Sequence, residues 1–137
     1  MYFLVGWLFF LVGMLRYRVL SIHGGSLPEI GTGHVRRSLA LARQLTEQGD
    51  TEIVFLMRDY PGSQDVVRTS EFQIDFFPLD GNETESVLDA VSKYKSDIVL
   101  FDNLDNNPVV LKRLCNRGIV LITIDDIGEA SLIADIA

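Results

Sequence analysis

One histidine stands where a sequence can do chemistry with few other groups. His34 lies in the run from Gly24 to Leu39, GGSLPEIGTGHVRRSL, in which Gly24, Gly25, Gly31 and Gly33 let a backbone turn tightly and approach a ligand closely. The residues after it are apolar at helical spacing, so the run delivers His34 to the first turn of a helix. The positive end of the helix dipole there favours a neutral imidazole, which can accept a proton from water. The same unpaired N–H groups attract an anionic leaving group. Together these suit displacement at a sugar carbon that carries a nucleotide diphosphate. A nucleotide already leaves well, so the paired carboxylates of ordinary glycoside hydrolysis are not needed. A second reading of the same residue is a helix-start histidine bonded to its own loop. Two familiar phosphate motifs do not fit: the third glycine of G-x-G-x-x-G is replaced by Arg36, and no lysine follows as a Walker loop needs.

The elements that must position these residues alternate along the chain. Short β-rich runs at 18–22, 53–57, 73–77, 98–102 and 119–124 are separated by helical stretches at 34–48, 65–70, 82–95 and 108–117. In the first helix Val35, Leu39, Ala42 and Leu45 form one apolar stripe, leaving Arg36, Arg43 and Glu47 for solvent. Gly49 and Gly118 supply stops, and Asn107-Pro108 reads as a cap followed by a first turn. Five strands joined by four crossover helices predict an α/β fold, a Rossmann-like, doubly wound parallel sheet. Ligands of such sheets bind outside the carboxyl ends of the strands. The residues there are His23-Gly24-Gly25, Arg58-Asp59, Asp102-Asn103 and Asp125-Asp126. Arg58, Asp102 and Asp125 therefore join the glycines as candidate substrate contacts. Asp125 serves equally as a cap for the chain that follows, and His23 as a structural strand end. Cys115, beside Leu114 on a helix, is expected to be a buried small hydrophobe.

Composition narrows the partners. The 137 residues suit one domain, and one cysteine excludes an intrachain disulfide. Lys+Arg 12 against Asp+Glu 19 leaves a net charge of −7, which argues against a general nucleic-acid binder. A small anionic ligand is not excluded, since a few amides and one arginine hold a phosphate locally. Residues 1–15 are an apolar head without charge, followed by Arg16 and Arg18. The head is shorter than the roughly 17–25 residues of a spanning helix, and it lacks the basic start and cleavage site of a secretory signal. It is either a weak membrane anchor, whose arginines hold residues 16–137 on the cytoplasmic side, or a stretch preceding a start at Met14. The expected location is cytoplasmic, at the inner face of the membrane where the anchor is real.

The run Ile30-Gly31-Thr32-Gly33-His34-Val35-x-Arg37-x-Leu39-Ala40-Leu41-Ala42 resembles the hallmark of UDP-sugar hydrolases of the pseudaminic acid pathway and of related spore-coat polysaccharide biosynthesis proteins. The resemblance extends through Phe55-Leu56-Met57-Arg58-Asp59-Tyr60-Pro61, Phe101-Asp102 and Ile124-Asp125-Asp126, and so covers nearly everything after Arg16. It implies the N-terminal domain of a glycosyltransferase-B fold. It also implies a UDP-linked sugar as substrate, water attack at the anomeric carbon with inversion, and release of UDP. His34 takes the role of the base, Gly31 and Gly33 match the family glycines, and Arg37 matches the family arginine. No metal and no cofactor are implied. Two departures favour the spore-coat branch: Ser21 and His23 replace an Arg-x-Asp pattern, and Asp102-Asn103-Leu104 replaces Asp-His-Tyr. The family's second, nucleotide-binding domain is expected beyond residue 137, carried by a separate chain or lost. The reading is then nucleotide-sugar processing in surface polysaccharide or nonulosonic acid synthesis, incomplete alone. A glycosyltransferase half-domain and a non-catalytic sugar-binding remnant stand as alternatives.

Overall fold

The computed structural model describes residues 18–23, 33–49, 51–58, 68–78, 82–102, 106–124 and 128–137, with 18–23, 33 and 34 described by their backbone. Among these residues five strands and three α-helices follow one another, β2 and β3 with no helix described between them: β1 Arg18–His23, α1 Gly33–Gln48, β2 Glu52–Arg58, β3 Gln73–Phe77, α2 Glu83–Tyr94, β4 Ile98–Asp102, α3 Pro108–Cys115 and β5 Val120–Ile124. One turn of 3-10 helix, Glu129–Leu132, follows. The expected helix at 65–70 falls mostly outside the described residues.

The strands form a mixed α/β arrangement in which every pairing is parallel, in the order β3-β2-β1-β4-β5. Parallel neighbours need long crossovers, and α1 supplies that from β1 to β2 and α3 that from β4 to β5, while the β2–β3 connection lies mostly outside the described residues. Strand sequences such as IVFLM within β2 are apolar at consecutive positions because both faces are covered. Successive residues of β2 and β4 accordingly alternate between two cores. Ile53, Phe55, Met57, Ile98 and Leu100 pack with the α1 stripe of Val35, Leu39, Ala42 and Leu45. Val54, Leu56, Val99 and Phe101 pack with Val87, Leu88 and Val91 of α2 and Val110, Leu111 and Leu114 of α3. Each such side chain taken fully from water contributes about 1.5–3 kcal/mol.

Local chemistry sets the helix ends. The Asn82 side chain accepts from the N–H of Glu85 and that of Asn107 from Val109, so each cap satisfies an orphan donor. α2 closes through Lys95 in a left-handed conformation, and the turn after α3 closes through Gly118 at φ 74°. α3 stops at Cys115, two residues before the expected end, and Cys115 is exposed rather than buried. The buried stripe of this short helix is Val110, Leu111 and Leu114, and the next position already turns away from the sheet. β5 is extended at its free side by Asp135 and Ile136. The Asp135 N–H donates to the Leu121 carbonyl at 2.8 Å, and its carboxylate accepts from the Leu121 N–H at 2.8 Å.

Candidate functional site

With all strands parallel, their carboxyl ends share one edge of the sheet: His23, Arg58, Phe77, Asp102 and Ile124. The strand order runs outward from β1 to β2 and β3 on one side, and from β4 to β5 on the other. The order reverses between β1 and β4. His23 and Asp102 are register partners at that point.

Asp102 is the best-defined group of this edge. One carboxylate oxygen accepts from Nη2 of Arg37 at 2.8 Å, and the other from Oγ of Ser38 at 2.5 Å. Its side chain is 0% exposed and that of Arg37 24%. The position follows from strand alternation: Ile98 and Leu100 face α1, so Asp102 does too. Arg37 and Ser38 reach it because α1 presents positions 35, 38, 39, 42 and 45 to the sheet, with Arg37 at the border of that face. A carboxylate taken this far from water persists only with charge-assisted donors on it. Ser38 was not among the residues singled out from sequence. The available signal was a hydroxyl inside an apolar helical stripe, which must find a partner when buried.

α1 begins at Gly33, so His34 occupies the first turn of the helix, as expected. Positions 34, 37 and 38 stand i, i+3 and i+4 apart and share one helix face. Gly24, Gly25, Gly31 and Asp125 lie outside the described residues, as do Asp59, Asn103 and Asp126.

Arg58, at the end of β2, pairs with Glu83 in the first turn of α2 at 2.9 Å, with both side chains about one-quarter exposed. Its guanidinium carbon lies 5.2 Å from the centroid of the Phe77 ring, its register neighbour. Glu83 was not a candidate from the sequence, since its partner lies 25 positions away in the chain. A hollow of about 360 Å³ lies between β3 and α2, lined by Asp75, Phe77, Pro78, Ser86 and Lys93 among others. It contains neither Arg37 nor Asp102, and so is separate from the β1–β4 edge.

Among the described residues no group of three or more His, Cys, Asp or Glu could hold a metal ion. No helix among them is long and apolar enough to cross a membrane, and residues 1–15 lie outside the description. No protein-family model matches the chain, and no curated protein matches it.

Proposed function

We propose that the chain is the N-terminal, Rossmann-like half of a glycosyltransferase-B-type enzyme that processes a UDP-linked sugar, with His34 as the base. The observation that carries this reading is the bonding of Arg37 and Ser38 to Asp102. It supports the reading because it brings the start of α1, the helix that carries His34, to the end of β4 beside β1, where a doubly wound sheet would have its ligand crevice.

In this reading an unprotonated nitrogen of His34 takes a proton from water while the water oxygen bonds to the anomeric carbon. The bond from that carbon to the diphosphate oxygen breaks on the opposite side, so the sugar inverts and UDP leaves with the electron pair. The N–H groups of the first turn of α1 favour the negative charge that develops on the leaving group. The C-terminal half of the fold supplies the remaining nucleotide contacts, from a separate chain or a continuation of this one. Arg58, paired with Glu83 along the same edge, is the cation this reading assigns to the diphosphate.

The test is UDP release from a panel of UDP-linked N-acetylhexosamines. It is run with the chain alone and with a chain carrying a nucleotide-binding C-terminal half. Release that falls about 100-fold or more in His34→Ala is expected of a lost general base. Full rate in His34→Ala removes the mechanism. Sugar binding without release under every pairing removes the catalytic reading in favour of a binding module. Transfer of the sugar to an added alcohol in preference to water makes the chain a transferase half.

A further inference from the structure

The segment 24–32, which holds the glycines Gly24, Gly25 and Gly31, is bordered by two described elements, and both meet at one residue, Asp102. Before it, His23 ends β1 in ladder register with Asp102. After it, α1 returns Arg37 and Ser38 to the two oxygens of the same Asp102. Asp102 at the end of β4 thus lies beside the exit of β1 through its backbone and holds the start of α1 through its buried carboxylate. Because its side chain is 0% exposed, it meets a ligand in the β1–β4 crevice only through the residues it holds.

We propose that Ser38 and Asp102 are positioning residues. They staple the two ends of the glycine-rich segment and thereby hold the His34 position at its working distance from the crevice. This rests on the base role argued above for His34 and assigns the geometry of that base to two residues that never touch substrate. The short Ser38–Asp102 bond is the part least replaceable by water, since both partners are buried. Ser38 lies one helical turn from His34, so a helix start that loosens by a fraction of an ångström carries the imidazole with it. Misplacement of a reacting group by about 1 Å costs on the order of 100-fold in rate.

The experiment compares Ser38→Ala with Leu45→Val. Leu45 is 2% exposed and lies further along α1, away from the edge, so its substitution costs stability without touching the staple. Two readouts are taken on folded protein: kcat and KM for UDP release with the C-terminal half present, and amide hydrogen exchange at positions 35–39. Ser38→Ala is expected to lower kcat roughly 10- to 100-fold with KM nearly unchanged, and to speed exchange at the start of α1. Leu45→Val is expected to lower Tm while keeping kcat and leaving exchange at 35–39 as in the parent. Parental kcat in folded Ser38→Ala overturns the proposal, as does an equal loss of kcat in Leu45→Val, while the UDP-sugar reading survives both. If no preparation releases UDP, that reading falls. The staple is then judged by exchange, and slow, parental exchange in Ser38→Ala overturns it.

Discussion

Asp102 sits at the end of a strand whose other residues are all apolar, and its carboxylate is buried. A buried ion pair adds little net stability over an apolar pair, but removing one partner leaves a charge without compensation. Arg37→Ala should therefore cost about 3–5 kcal/mol in urea unfolding. Adding Asp102→Ala to it should recover about 0.5–3 kcal/mol of that loss, because the stranded carboxylate goes with it. A cost for Arg37→Ala under about 1 kcal/mol, the range of exposed pairs, would remove the claim that the pair is buried. The Arg43–Glu71 pair offers the contrast. Both of its side chains are about half exposed, and its loss should be small. From the sequence, Asp102 is legible as a candidate at a strand end, and Arg37 through the resemblance whose arginine it matches. Their contact was not legible, since 65 residues separate them and no local rule pairs them.

At the scale of elements, local rules carried far. Asn107 and Pro108 announce the start of α3, and the apolar positions of α1 mark its buried face, because both depend on residues within a turn of one another. The expectation for Cys115 failed because the buried stripe of α3 is Val110, Leu111 and Leu114, and Cys115 falls outside it at the end of the helix. Lys95 is a second departure, a non-glycine residue at φ 51° closing α2. The left-handed conformation costs an L-residue about 1–2 kcal/mol, offset by about 0.5–1 kcal/mol of extra chain entropy when glycine replaces it. Lys95→Gly should thus stabilise the protein by about 0.5–1 kcal/mol in thermal or urea unfolding. A loss of stability would show that the lysine side chain makes a compensating contact.

For the whole molecule, the edge strand β3 is joined to α2 by polar groups as well as by its core. Asp75 accepts from Tyr94 Oη at 2.7 Å and from Lys93 Nζ at 3.1 Å. Burial first, and donation to Asp75 second, raise the Tyr94 phenol above its ordinary 10.0. The hydrogen bond to Asp75 raises the Lys93 ammonium above 10.5. A group whose folded pKa is raised stabilises the fold fully below its unfolded pKa and loses that contribution as pH climbs through the folded value. Unfolding free energy should accordingly decline above about pH 10. The decline should be shallower in Asp75→Asn, which keeps the burial of Tyr94 but removes the acceptor charge. Equal alkaline slopes in parent and variant, from urea titrations at stepped pH, would refute the network's role.

The α/β succession outside residues 59–67, the buried face of α1 and the first-turn place of His34 follow from spacing along the chain. Each of these depends on spacing within one element, where neighbours in the chain are neighbours in space. Only the tertiary structure decided the strand order, the reversal between β1 and β4, and the meeting of Ser38 and Arg37 with Asp102. Those depend on how crossovers bring distant ends to one edge of the sheet. A buried serine names no partner until the strand opposite it is in place.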